Sequence, residues 1–448
     1  MSIVVPFRAL RPRGEFVGAV AALPYDVMSV EEARQQIKKN PLSFLRVEKA
    51  ECDFPGEEET AEQIVCQRAK DNLERMIKEG ILGQDESASF YLYRQQMGGH
   101  VQTGVVACVS VDEYRKGRIK AHELTLEAKE RGRTLHIDSI GAQTGPVFLT
   151  YRGQEQIDSL LAKVAKQVPE YDFTADDGIR HTAWIIGELA DIKALQKAFL
   201  PVEYLYIADG HHRAAAAVRV AGLRAELSSG KSKINVHKSK INVHKAELSV
   251  HKKAVSEHDF MLAVLFPSDQ LRIMDYNRAV RDLNGLARDE FLEEIADKFL
   301  IAKDFPEKAE LNVHKSKISV HKLPRRPHDF GMYLQGKWYL LSAREKALPK
   351  AKQAAALDVS VLQDNILGPV LGIENPRTDK RIAFIGGARG AAGLESIVDR
   401  DGFAVAFSLF PPTVEQMMAV ADAGMVMPPK STWFEPKLRS GLFVHLID

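Results

Sequence analysis

The chain of 448 residues has 45% hydrophobic and 27% charged side chains, a formal net charge of +1 and three cysteines. This is ordinary composition for a soluble globular protein of two or three domains, or of one large elaborated domain. The near-zero charge excludes a global field that attracts nucleic acid or anionic membrane, and no apolar run approaches the length of a membrane span. Cys52, Cys66 and Cys108 are scattered without metal-ligand spacing, and the first residues lack the basic-then-apolar layout of a signal peptide. Reduced thiols and a cytoplasmic location are expected.

Residues 3–30 read as short extended pieces broken by Pro6, Pro12 and Pro24. Ser29 is an N-cap for a helix at Val30–Lys39, and Asp26 just before it is a candidate active-site residue that reads first as a turn acid. Apolar residues recur at helical spacing from Glu57 to Gly80, where glycine is a natural stop. Phe90–Arg94 and His100–Val111 read as a hairpin turning at Gly98 and Gly99. His122 and Glu123 open a charged segment that continues as a helix at least to Arg131, so the pair projects from the helix entry. Gly141 to Pro146 then form a glycine-rich turn that feeds a strand ending near Tyr151. Helices and strands alternate over 154–200, with His181 a sheet residue in the strand His181–Glu188.

The most informative stretch follows. Val202 to Ile207 is apolar and aromatic, Asp209-Gly210-His211-His212-Arg213 comes next, and Ala214–Leu227 is alanine-rich. The first part reads as a strand and the last as a helix, since alanine is the best helix former. A turn at a helix N-terminus offers unpaired amides and the positive end of the dipole to an anion. Gly210 permits close backbone approach, Arg213 can grip phosphate oxygens in a fork, and Asp209 can hold a magnesium ion or accept a proton.

Beyond that helix the chain repeats itself: Ile234–Lys240, Ile241–Glu247 and Leu248–Lys252 share a pattern that returns at Leu311–Lys317 and Ile318–Lys322. Within each copy the apolar residues stand two apart, which is strand spacing rather than a coiled-coil heptad. Only Glu247 joins the histidines as another metal-ligand type, so these read as inserted exposed loops with no catalytic role. Phe260–Pro267 is a strand buried on both faces, and Leu271–Arg278 is another. Helices are expected at Leu286–Phe299, Asp358–Leu371, Ala391–Val398 and Val414–Ala423. A hairpin is expected at Met332–Leu341, a charged loop at Asn375–Arg381, and strands at Ile382–Gly387 and Ala404–Leu409. Prolines at 428, 429 and 436 forbid regular structure in the last stretch, where Lys430, Ser431 and Thr432 could contact phosphate, with Lys437 and Arg439 nearby.

The order of His122-Glu123, helix, Gly145-Pro146-Val147 strand and Asp209-Gly210-His211-His212-Arg213 resembles the ParB/sulfiredoxin-like superfamily, and within it the free-serine kinases. Over nearly its whole length the chain resembles a bacterial and archaeal family known as domain of unknown function 1015. Pro24-Tyr25-Asp26-Val27, His122-Glu123, Asp209–Arg213 and Met427–Thr432 carry that likeness. The resemblance implies a mixed α/β fold, with a ParB/sulfiredoxin-like nucleotide-binding core at 116–300 between an N-terminal region, 1–115, and a C-terminal region, 301–448. The repeats are then insertions at 230–253 and 311–322.

It also implies nucleotide-dependent phosphoryl transfer to the hydroxyl of a small metabolite, serine being the best single choice, with ATP or ADP and Mg2+ as cofactors. Such chemistry needs positioned phosphates, charge neutralisation and a carboxylate to orient the hydroxyl. Catalysis falls to Glu123, Asp209 and His122. Nucleotide binding falls to Gly210, His211, His212, Arg213, Lys430, Ser431 and Thr432, and metal binding to Asp209. A phosphoserine phosphatase and a non-enzymatic nucleotide-gated module are the alternatives. Near-neutral charge and no evident helix-turn-helix argue against a DNA partner. A homo-oligomer is left open.

Overall fold

Two β-sheets organise the residues described by the computed structural model, which are 3–54, 61–228, 256–303, 324, 326–349 and 357–448. The heptapeptide repeats at 234–252 and 311–322 lie outside them. The first sheet has nine strands in the order Ile119–Lys120, Leu205–Asp209, Val147–Tyr151, Phe260–Pro267, His100–Ser110, Phe90–Met97, Arg180–Ile186 and Tyr171–Thr174, with Val4–Val5 added along His100–Ser110. The second is antiparallel, in the order Phe299–Lys303, Lys337–Ala343, Asp329–Leu334, Val405–Leu409, Tyr276–Val280 and Ile382–Gly386. The architecture is the expected mixed α/β. Strands from both sides of position 115 share the first sheet, and Phe299–Lys303 shares the second with strands beyond 301.

Local chemistry accounts for many of the elements. Ser29 caps Val30–Lys39 through a reciprocal pair: its Oγ accepts from Glu32 N at 3.2 Å while Glu32 Oε2 accepts from Ser29 N at 2.7 Å. The helix Glu62–Lys78 stops at Gly80, whose φ of +73° a side chain would resist. The hairpin turns at Gly98 and Gly99 as the sequence predicts, with Met97 facing His100. In the unbroken apolar strand Phe260–Pro267, Met261, Ala263 and Leu265 point into one core and Leu262, Val264 and Phe266 into another. Burial on both faces is why the run carries no polar alternation.

The second of those cores is shared between the sheets. Tyr93, Val106, Phe148 and Val264 of the first meet Phe330, Met332, Val405 and Phe407 of the second, together with Met427, Phe434, Leu438 and Phe443 of the C-terminal segment. The proline-rich ending is therefore a packed strap. Trp433–Phe434 pairs with Ile273–Met274, and His445–Leu446 with Ala142–Gln143.

Several expectations change in detail, among them the helix at Leu286–Phe299, which runs only over Arg288–Ala296 before Phe299 opens a strand. The helix after Asp209 begins at His211 rather than Ala214, so His211, His212 and Arg213 form its first turn. The stretch Leu271–Arg278 splits, with Ile273–Met274 on the strap and Tyr276–Val280 in the second sheet. The helix expected at Asp358–Leu371 is α only to Leu362 and widens into a π turn at Gln363–Leu367, where Gly368 N reaches back to Gln363 O at 2.9 Å.

Candidate active site

The site forms where three strands of the first sheet bring their ends to one edge. Ile119–Lys120 runs parallel to Leu205–Asp209, with Ile119 opposite Leu205 and Lys120 opposite Tyr206. Parallel pairing sends both chains off the sheet at the same end, so His122-Glu123 emerges beside Asp209-Gly210-His211. Val147–Tyr151 runs antiparallel on the other side, with Phe148 opposite Asp209, and so its entry turn, Thr144-Gly145-Pro146, lies at that end too. Gly210 has φ +90°, and a Cβ there would lie 3.5 Å from Val147 Cα. The space would take a Cβ, so it is the positive φ that calls for glycine at this strand-to-helix turn.

Asp209 is held at both carboxylate oxygens. Gly210 N–H donates to Oδ1 at 2.8 Å, and Lys437 Nζ lies 2.8 Å from Oδ2. Burial would push this carboxyl up, but Lys437, Arg213 and the Gly210 amide outweigh it and hold it well below the usual carboxylate range. Glu123 goes the other way. Burial raises its carboxyl, Asp209 adds to the rise, and Lys430 and Arg377 oppose it. Two carboxyls close enough to act on each other, whose environments separate their proton affinities, are a suitable pair for acid–base work.

All three histidines are shifted toward the neutral form. His122 is buried, and burial pushes its imidazole down to about 4. The His211 ring, edge-on to His122 with centroids 4.5 Å apart, is pushed well below the ordinary value by burial and by His122. His212 is lowered by burial, and its Nε2 accepts from Leu126 N at 3.0 Å, holding the entry to the helix Glu127–Ile140. Of the three chargeable side chains at the junction, Arg213 alone is a cation at neutral pH. To an anion, His211 and His212 offer first-turn amides, which have no intrahelical acceptor.

The strap closes over this edge. Met427 N donates to His122 O at 2.7 Å, and Thr432 Oγ1 lies 3.2 Å from His122 Nε2. Buried Arg278 fixes the loop between them by donating from Nη2 to Pro429 O at 3.1 Å and Lys430 O at 2.9 Å. Lys430 turns at φ +57° with its ammonium 5.6 Å from the centre of the Tyr276 ring, where its charge acts on Glu123 and Asp26. Ser431 is spent on the turn itself, its Oγ donating to Pro428 O at 2.6 Å.

A protein family described as "Protein of unknown function (DUF1015)" matches residues 4–360. The chain belongs to the DUF1015 family. No curated protein matches it. Among solved structures it is similar to a free serine kinase in complex with AMP at 14% identity, covering 75% of this chain and 91% of that one, with a TM-score of 0.34. A conserved hypothetical protein from Pyrococcus furiosus matches at 13% identity, covering 76% and 95%, with a TM-score of 0.32. SbnI with C-terminal truncation from Staphylococcus aureus matches at 11% identity, covering 76% and 87%, with a TM-score of 0.36.

In this DUF1015 chain the fold also brings to the site several residues that the sequence marks only weakly. Asp26, read as a turn acid, has Oδ1 3.8 Å from Arg213 Nη2. Tyr25 lies between two guanidinium groups, Arg133 at 3.9 Å and Arg213 at 5.4 Å from its ring centre. Arg213 Nη1 also donates to Pro146 O at 3.3 Å, and a Cβ at Gly145 would press on its guanidinium at 3.3 Å. Tyr25 and Arg133 further line a pocket of about 320 Å³ with Glu48, Val65, Lys129 and Leu135, within the size range of small-ligand sites. The motif Pro24-Tyr25-Asp26-Val27 was the available signal for Asp26, but Lys437 had none beyond its neighbourhood.

Asp209, to which the sequence assigns the metal, carries one contact on each carboxylate oxygen, the Gly210 amide on Oδ1 and the Lys437 ammonium on Oδ2, and its side chain is 36% exposed. Among the described residues no group of three or more His, Cys, Asp or Glu could hold a metal ion. No helix among them is long and apolar enough to cross a membrane.

Proposed function

We propose that this protein binds a nucleotide by its phosphates at Asp209–Arg213 and transfers a phosphoryl group to the hydroxyl of a small metabolite, serine being the first to try. The observation that carries this reading is the meeting of Glu123 and Asp209 at the N-terminus of the helix His211–Ser228, with Arg213 and Lys430 at the same edge. Anionic phosphates are favoured there by the first-turn amides, by the helix dipole and by the Arg213 fork. The resemblance of these motifs to the free-serine kinases supports serine as the acceptor and ATP or ADP as the donor.

In the transfer the acceptor oxygen forms a bond to phosphorus as the bridging P–O bond breaks, and the nucleotide leaves one phosphate shorter. Glu123, with its raised proton affinity, orients the hydroxyl and takes its proton. Arg213 and the helix end meet the charge on the transferred group. Neutral His122, tied to Thr432, positions Glu123 from the adjoining residue. Magnesium enters this reading as the counter-ion that the nucleotide brings on its own phosphates.

The test is incubation of the purified protein with ATP or ADP, Mg2+ and serine, followed by detection of phosphoserine. No product together with no nucleotide binding removes the proposal. Binding without turnover points to a nucleotide-gated module, and phosphate released from phosphoserine reverses the direction of the chemistry.

A further inference from the structure

The carboxylate at the end of a strand before a phosphate-binding turn is a common place for a divalent cation. Here the carboxylate is paired with a lysine. Lys437 Nζ lies 2.8 Å from Asp209 Oδ2, and the other oxygen accepts the Gly210 amide at 2.8 Å. The lysine is no loose surface partner: it is 8% exposed, and its ammonium sits 4.3 Å from the centre of the Trp433 ring. Its backbone is pinned on both sides. Lys437 N–H donates to Glu435 Oε2 at 3.1 Å, and Gln95 Nε2, itself in a buried pair with Gln102, donates to Lys437 O at 2.8 Å. Two residues on, buried Arg439 donates from Nε to His181 Nε2 at 3.2 Å and is ion-paired to Asp177. The fold thus spends a buried polar network on holding one ammonium against one carboxylate.

We propose that Lys437 is the built-in cation of this site, standing at Asp209 where a protein-held divalent metal ion would otherwise bind. An ammonium has three donors. One is used on Asp209, which leaves two for the oxygens of an incoming phosphate. The residue is a lysine rather than an arginine in keeping with a compact point charge at a metal-sized position. The C-terminal strap therefore delivers a charge that completes the junction, and the site is incomplete without it. This inference rests on reading Asp209–Arg213 as the anion site, but its test does not require a nucleotide.

The experiment measures Mn2+ binding to the full chain by the electron paramagnetic resonance of the free ion, without nucleotide. The proteins compared are the unaltered chain, Lys437→Met, Lys437→Arg, and Lys437→Met combined with Asp209→Asn. The unaltered chain and Lys437→Arg are expected to leave Mn2+ free. Lys437→Met is expected to bind it more than about tenfold tighter, because an uncompensated carboxylate attracts the ion, and the added Asp209→Asn is expected to abolish that gain. Asp209-dependent Mn2+ binding by the unaltered chain overturns the proposal. So does a Lys437→Met protein that keeps its circular dichroism and gains nothing. Should Lys437→Met fail to fold, Lys437→Arg decides, since Mn2+ bound there overturns it equally. A thermal-shift screen with ADP runs alongside: no nucleotide stabilisation in the unaltered chain counts against the phosphoryl-transfer reading alone.

Discussion

The imidazole of His122 and the hydroxyl of Thr432 stand 3.2 Å apart, although 310 positions separate them in the chain. With Met427 N–H donating to His122 O at 2.7 Å, this contact locks the C-terminal strap onto the segment that carries Glu123. Thr432→Val keeps the shape and removes the hydroxyl from a buried ring nitrogen. The loss expected in urea unfolding is about 1–3 kcal/mol, the cost of leaving a buried polar atom unsatisfied. A variant as stable as the parent would show that the contact holds nothing together.

Glu123→Gln retains size and hydrogen bonding but cannot take a proton. Phosphoryl transfer is expected to slow by roughly 10²–10⁴-fold, the usual contribution of a positioned base. Nucleotide affinity should stay unchanged, so kcat and a calorimetric Kd separate the two roles. In the unaltered protein the base form is lost as pH falls through a value raised above the ordinary 4.5, so the acid limb of the kcat profile for the proposed transfer should lie above that pH.

Arg213→Lys keeps the charge but loses the planar fork that lies over Tyr25 and reaches Pro146 O. A bidentate grip on phosphate is not replaced by an ammonium, and nucleotide binding is expected to weaken by about tenfold or more. Titration calorimetry with ADP measures it. Equal affinity in the two proteins would move the phosphate site elsewhere.

At Gly210 the backbone needs φ +90°. Gly210→Ala is expected to cost about 1–3 kcal/mol of stability through backbone strain. The first-turn amides would turn with it, so nucleotide binding should fall even at a temperature where the variant is fully folded. Thermal melts with and without ADP give both numbers.

Acid should weaken the fold through buried neutral histidines. Burial holds His122 at about 4 and His181 at about 3, against an ordinary value of 6.5 that applies once the chain is unfolded. The unfolded chain then binds more protons, so stability rises with pH across this window. The contribution is fully present above 6.5 and is lost as pH falls from there through about 4 and 3. The melting temperature should drop over that interval, and His122→Asn should reduce proton uptake on unfolding by about one. A flat profile from 6.5 to 4 would contradict the burial of these rings.

Much of the local structure was legible in the residues themselves. Ser29 and Glu32 announce a capped helix, Gly98-Gly99 a hairpin, and the unbroken run Phe260–Pro267 a doubly buried strand. Each depends on groups only a few positions apart, which a linear reading sees. The junction Asp209–Arg213 and the pair His122-Glu123 were visible for the same reason, as short motifs with their own chemistry. Tertiary structure decided what surrounds them. A strand of two residues, Ile119–Lys120, sets the parallel register that brings Glu123 to Asp209, and no periodicity marks a strand that short. Lys437 looks like any charged residue in a proline-rich ending until its partner 228 positions away is known. Burial likewise lowers the imidazoles of His211 and His212, leaving Arg213 as the strongest base of the motif. Charge state and pairing are properties of an environment, and this chain assembles its environment from segments far apart in sequence.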